Sequence, residues 1–355
     1  MTIVSEKYCY VVGVDTHAQT HTYAVLTSSG VQLGTRQFPA DQAGFGKATA
    51  WVNKQTGSSS SVLWVVEGVG SYGAHLGRKL ADDRYEVVEA ARVETKQRHG
   101  KGKSDPLDAW LIASSVLHLN IDRLTKPRAD KGIQAGLKTL LMARNHIQKT
   151  RTAHINVLTA LVRTSHVDVD ARKSLSAATI NQIAGWRSRK EPIENQIARQ
   201  QSIWLAKQII ELGVQANIIK TTIETMIKQS LAAPLLDLMG IGPIIAATVL
   251  TVWSYPGRIR NQAAFSAIAG VNPIPASSGN KTRHRLNRGG DRQLNKALHM
   301  AIVTKMARDP ETKTYTQKRK ELGQSKKEIR RSLKRYLARQ LYKTLNQLYQ
   351  TQTTT

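Results

Sequence analysis

"YCYVVGVDTHAQTHTYAVLTSSGVQLGTRQF", residues 8–38, carries three strand signals in a row. A β-branched run, 8–14, ends at Asp15. A second candidate strand covers 21–27 and a third 31–38. Ser28-Ser29-Gly30 between the last two has the composition of a hairpin turn. Downstream the spacing predicts a helix over 43–55. A buried-type strand follows at 61–66 (SVLWVV), closed by Glu67. A helix over 71–82, a strand over 85–90 and a helix over 105–119 complete the series. That last helix is apolar on nearly every side, the pattern of a well-buried helix.

Three antiparallel strands, then helix, strand, helix, strand, helix, is the element order of an RNase H-like α/β domain. Four carboxylates punctuate it. Asp15 closes the first strand and Glu67 the fourth, while Asp105 and Asp108, in "SDPLDA", share one face of the last helix. In this topology those three elements meet at one sheet edge. Four acids converging there repel one another unless divalent cations neutralise them, and Mg²⁺ prefers such oxygen ligands. Two Mg²⁺ about 3.5–4 Å apart can stabilise both the entering and the leaving oxygen of a phosphoryl transfer. Each acid also has an ordinary reading. Asp15 can cap a turn, Asp105 can be a helix N-cap with Pro106 at the first helical position, and Asp108 can suit the helix dipole. The joint pattern is what favours the metal site.

The neighbouring "HGKGKSDPLDAW", residues 99–110, imitates a P-loop, but the motif needs glycine at position 97 and Gln97 stands there. "GVDTHAQTHTYAV" also resembles the first phosphate loop of actin-like ATPases. That fold needs a second strand-rich domain, and the C-terminal half offers none.

Charge points the same way. The 355 residues hold 52 Lys and Arg against 25 Asp and Glu, a net of +27. Such an excess implies a polyanionic partner. Within 281–340 there are 19 Lys and Arg and 5 Asp and Glu, so half of the excess sits in a sixth of the chain. Passive nucleic-acid binding accounts for charge equally well. The single cysteine, Cys9, allows no internal disulfide and reads as a buried strand residue. No basic-then-apolar leader opens the sequence and no apolar run suffices for a membrane span, so a soluble intracellular protein is expected.

The middle of the chain is helical. Positions 133, 137, 140, 144, 147, 151, 154, 158 and 161 step by four and three, and six of these nine are apolar. Leu212, Ala216, Ile219, Ile223 and Met226 repeat the pattern. Helical hairpins, a coiled coil or a plain bundle all fit it. "LMGIGPIIAATVL", residues 238–250, then has the form of a helix-hairpin-helix turn. Its Gly240 and Gly242 would offer backbone N–H groups to a phosphate, with Pro243 opening the next helix; a simple αα-corner fits as well. In "SSGNKTRHRLNRGGDRQLNKAL", Ser277, Ser278 and Gly279 precede Lys281, Arg283, Arg285, Arg288 and Arg292. A serine hydroxyl needs activation to attack phosphorus, which nearby cations can supply. On composition alone the segment is a turn followed by passive phosphate contacts.

Taken in order, "VGVDTH", "VEGVGSYG", "GKSDPLDA", "GIGPIIAATVL", "FSAIAGVNP" and "SSGNKTRHRLNRGGDRQLNKAL" resemble the IS110-family insertion-sequence transposases, DEDD-type serine recombinases related to Piv invertases and RuvC. The resemblance covers most of the chain. It implies a RuvC-like catalytic domain over 1–125 whose Asp-Glu-Asp-Asp tetrad is Asp15, Glu67, Asp105 and Asp108. It further implies a helical, coiled-coil region over 126–230, a helical transposase domain over 231–345 and a disordered tail over 346–355. The glutamate motif, commonly E-x-T-G in the family, reads Glu67-Gly68-Val69-Gly70 here. By motif position the nucleophile is Ser278, with Ser277 adjacent. The implied activity is Mg²⁺-dependent, bridge-RNA-guided cleavage, exchange and rejoining of donor and target DNA through a phosphoserine. Lys101, Lys103, Gly240, Gly242 and the basic run from Lys281 would hold nucleic-acid backbones. The implied setting is prokaryotic cytoplasm and nucleoid, and acting on two duplexes implies a dimer or tetramer. A RuvC-like nuclease without a serine step and a non-catalytic binding protein are the rival readings.

Overall fold

The computed structural model describes residues 2–90, 104–129, 131–165, 167, 169–277 and 284–354. The chain divides into two compact units. The first comprises Met1–Asp130 with Trp253–Phe265, and the second Lys131–Val252 with Ser266–Thr355.

The first unit opens with one helical turn, α1 (Val4–Lys7), and a five-stranded sheet follows. Its strands are β1 (Tyr10–Thr16), β2 (Thr20–Thr27), β3 (Gln32–Pro39), β4 (Val62–Val66) and β5 (Glu86–Glu89), in the order β3-β2-β1-β4-β5. The pairs β1/β2 and β2/β3 are antiparallel, and β1/β4 and β4/β5 are parallel. This is the RNase H-like arrangement. Helices α2 (Gln42–Gln55) and α3 (Ala74–Asp82) follow β3 and β4, and α4 (Asp105–Ser114) comes after β5 in the chain. The turn after β2 uses Gly30 at φ 86°, a left-handed conformation that glycine adopts without strain.

Both faces of β1 and β4 are covered, which is why they read as continuous apolar runs rather than alternating ones. On one face Val12, Val14, Tyr23, Trp64 and Val66 pack with Phe45, Leu76 and Leu80. On the other, Val11, Ala24, Leu63 and Val65 pack with Ala109, Ile112 and Ala113 of α4.

Three expectations are corrected here. Cys9 is exposed, because β1 starts one residue later and leaves it in the preceding bend. Asp15 lies inside β1 rather than closing it. The last helix ends at Ser114, and Leu117, expected within it, enters the core from the turn that follows.

Among the described residues, the regular structure of the second unit is helical apart from the short ladder β6 (Ile274–Pro275) and β7 (His284–Arg285). Its long helices are α5 (Gly132–Thr164) and α7 (Ile193–Lys228), with α6 (Ala177–Ala184) between them in sequence. Gly136 faces Met226, Arg151 donates to the Ile209 carbonyl at 3.2 Å, and Leu158 packs with Leu205 and Ala206. Rising numbers on one helix meet falling numbers on the other, so α5 and α7 form an antiparallel pair. The four-and-three stepping is thus satisfied within one chain. Next in the chain come α8 (Pro243–Trp253), α9 (Gln262–Ile268), whose first four residues are assigned to the first unit, α10 (Arg292–Arg308), α11 (Pro310–Glu321) and α12 (Lys326–Thr354). The last of these runs through 346–354, where a disordered tail was expected. Among the described residues no helix is long and apolar enough to cross a membrane.

Candidate metal centre

Side chains alternate along β1, so Val11, Gly13 and Asp15 face α4 while Val12 and Val14 face away. Gly13 sets the approach. A Cβ there would lie 2.1 Å from the Ala109 carbonyl oxygen and 2.6 Å from the Ala113 backbone nitrogen. Helix α4 therefore rests directly on the strand. One turn toward its N-terminus come Asp108 and Asp105, and two residues along the strand comes Asp15. Asp105 is the first helical residue, not the cap. Ser104 occupies the cap position without a side-chain hydrogen bond, so the Asp105 carboxylate is not spent on capping.

Glu67 arrives from the neighbouring strand. In the parallel β1/β4 register Val14 pairs with Val66. The Glu67 N–H donates to the Val14 carbonyl at 3.0 Å, and the Thr16 hydroxyl donates to the Glu67 carbonyl at 2.9 Å. Glu67 is thereby fixed abreast of Asp15. Gly68, at φ 61°, turns the chain away at once. Val69, at the position where the family pattern has threonine, packs against the sheet core.

The structure thus brings all four acids to one edge. Asp15 is only 6% exposed, and its Oδ2 has no hydrogen-bond partner among the described residues. Burial pushes its carboxyl up to about 6. Glu67, Asp108 and Asp105 push in the same direction, and His17 opposes them. Asp108 is buried as well, while Asp105 and Glu67 lie nearer solvent. A buried carboxylate oxygen without a donor among the described residues, beside three further acids, fits a divalent cation. His17 adds a nitrogen: donor atoms of Asp15, His17 and Asp105 lie within 4.8 Å of one another.

The second unit carries the basic surface. Gly240 sits at φ 83°, where a Cβ would meet the Ala301 carbonyl at 2.8 Å, so this turn requires glycine. Gly242 has open space around it and carries no such constraint. The arm before the turn is a short 3₁₀ helix, Ala233–Asp237. Further on, the backbones at Gly270 and Gly290 touch: a Cβ on Gly290 would lie 2.4 Å from the Gly270 nitrogen. Asn295 donates to the Ala269 carbonyl at 2.7 Å, and Lys334 donates to Asn295 Oδ1 at 3.0 Å. These hydrogen bonds tie the segment after α9 to α10 and α12.

Two clefts flank residues 284–288. One, of about 490 Å³, is lined by Arg285, Arg331, Lys334 and Arg335. The other, of about 430 Å³, is lined by Arg288, Arg292 and Lys296. Lys334 is buried, and burial lowers its pKa. Of the sequence-predicted residues, Arg285 therefore lines one cleft and Arg288 and Arg292 the other. Ser277 ends one of the described segments. Lys101, Lys103, Ser278, Gly279, Lys281 and Arg283 lie outside the described residues. Motif reading missed His17, Arg331, Lys334 and Arg335. The last three sit at i, i+3 and i+4, a spacing that puts them on one helix face and was available in the sequence.

Residues 12–167 match the DEDD, IS110-type family profile described as transposase. Residues 232–317 match the profile described as transposase of the IS116/IS110/IS902 family. The two matches together span more than half of the chain. No curated protein matches it.

Proposed function

The chain belongs to the IS110 family of transposases, enzymes that act on DNA, and from that premise we propose that it is a bridge-RNA-guided, site-specific DNA recombinase. The carrying observation is Asp15: a buried carboxylate whose Oδ2 has no donor among the described residues, with Glu67, Asp105 and Asp108 around it. These four acids would hold Mg²⁺, two ions on this reading. Bound there, the metal would neutralise charge developing on the oxygens that enter and leave phosphorus. Ser278 is the proposed nucleophile. Its Oγ would form a new bond to phosphorus as the bond to the leaving sugar oxygen breaks, and the proton lost by the serine hydroxyl would end on that sugar oxygen, leaving a free hydroxyl.

Division of labour follows the expected domains: 1–125 for the acids, 126–230 as helical linker and 231–345 for the serine and the basic clefts. Lys101, Lys103, Lys281, Arg283, Arg285, Arg288 and Arg292, with the backbone of Gly240 and Gly242, would grip donor DNA, target DNA and guide RNA. Base pairing would supply sequence choice while the protein holds backbones. A homodimer or homotetramer in the nucleoid-bearing cytoplasm is part of the proposal.

The test is incubation of the full chain with Mg²⁺, the RNA encoded beside its gene and element-end DNA. A covalent protein–DNA adduct is expected, lost in Ser278→Ala and retained in Ser277→Ala. Undiminished strand cleavage by Ser278→Ala would instead support a RuvC-like endonuclease, which needs the acids but no serine. The clefts make a separate prediction. Arg331→Ala and Arg335→Ala should each weaken DNA binding similarly for all sequences. Each should also reduce the steepness of log K against log salt by about 0.9 for every phosphate left without its cation. An unchanged salt dependence would remove these residues from the interface.

A further inference from the structure

Beyond the tetrad, the acidic edge holds a histidine that the family pattern of four acids does not assign. His17 is the first residue of the β1–β2 turn. Its N–H donates to the Thr20 carbonyl at 3.1 Å, which fixes the turn and with it the origin of the side chain. The ring leans over the acids. Nδ1 lies 3.8 Å from Asp15 Oδ2 and 3.9 Å from Asp105 Oδ2. Neither separation is a hydrogen bond. Both are what two ligands of one ion show, since metal–ligand bonds of about 2.0–2.2 Å place partner atoms roughly 3–4.3 Å apart. Asp15 Oδ2 supplies the second, independent observation: it is buried, and no described residue donates to it.

We propose that His17 Nδ1 is a direct ligand, with the Asp15 and Asp105 carboxylates, of one divalent ion, and that this nitrogen makes the site prefer Mn²⁺ to Mg²⁺. The preference follows from ligand chemistry. Mg²⁺ favours carboxylates, phosphates and waters and dehydrates reluctantly, whereas imidazole binds more readily to ions further along the transition series. The inference rests on the metal-centre reading of the four acids and specifies one of its ligands.

The experiment is Mn²⁺ titration of the full chain without nucleic acid. Free ion is followed by electron paramagnetic resonance, and the bound ion by pulsed measurements of nitrogen coupling. The native protein should show coupling from one histidine nitrogen, which ¹⁵N-histidine labelling identifies. His17→Ala should abolish that coupling and weaken Mn²⁺ binding by about tenfold or more, while Mg²⁺ competition changes less than about threefold. His17→Asp should keep Mn²⁺ bound without nitrogen coupling and move the preference toward Mg²⁺. Because this side chain is about half exposed in a turn, both variants should keep the native circular dichroism. A bound ion without nitrogen coupling in the native protein, or coupling that survives in both variants, would overturn the role of His17 and leave the four-acid centre standing. A folded native chain that binds no Mn²⁺ at all would bring down both.

Discussion

Asp15→Asn is expected to abolish metal-dependent DNA cleavage while making the metal-free protein more stable. Removing a carboxylate of the proposed metal centre should forfeit several kcal/mol of charge stabilisation at phosphorus, a loss of roughly 10³-fold or more in rate. The stability gain has a different origin. In the folded chain the Asp15 carboxyl is pushed up to about 6 from its ordinary 3.8, first by burial and then by the three acids around it. A raised carboxyl favours the protonated form in the folded state. Stability therefore falls as pH rises between 3.8 and about 6, and above that range the full penalty is present. Two units correspond to about 3 kcal/mol. Asparagine removes that penalty, so Asp15→Asn should gain up to this amount at pH 7.5 in EDTA. The gain should shrink as pH is lowered from 6 toward 4. Saturating Mn²⁺ or Mg²⁺ should stabilise the native protein and narrow the difference. Urea unfolding at pH 7.5 and 4.5, with chelator and with metal, measures all of it. Equal stability of the two proteins in EDTA at pH 7.5 would contradict the electrostatic account of this site.

Gly13→Ala should be among the most damaging single-methyl additions in the first unit. The added carbon has nowhere to go, because its nearest neighbours are the backbone oxygen of Ala109 and the backbone nitrogen of Ala113, at 2.1 and 2.6 Å. Side-chain rotation cannot relieve a clash with backbone, so α4 must move off the sheet as a body. That should cost about 3 kcal/mol or more, at the upper end for overpacking. Where the variant still folds, Asp105 and Asp108 move with the helix, and divalent-ion affinity should fall alongside stability. Native stability and native metal affinity in Gly13→Ala would show that the close approach of β1 and α4 does not set the site.

The strand order was legible because burial leaves a direct mark: a strand covered on both faces, such as VVGV or VLWVV, has to be apolar throughout. The acids stood out for the converse reason, as charges interrupting such runs. Boundaries were less legible. Whether Ser104 or Asp105 begins α4 depends on backbone hydrogen bonding that either residue can satisfy, and Cys9 lies one residue outside a strand of its own chemical character. The role proposed for His17 was not legible because it depends on Asp105, far away in sequence and 3.9 Å away in space. Lys334 was hidden in the same way, since its hydrogen bond to Asn295 depends on α10 and α12 packing together.

The hydrogen bond from the Glu67 amide to the Val14 carbonyl does more than hold two strand ends together. It ties the spacing of Asp15 and Glu67 to the interval between paired strands, about 4.8 Å in any β-sheet. That interval is a length standard the backbone enforces, close to the roughly 3.5–4 Å between ions in two-metal phosphoryl transfer. Exchanging side chains at this edge can alter the charge or kind of a ligand. Resetting the gauge itself would require a different register between β1 and β4.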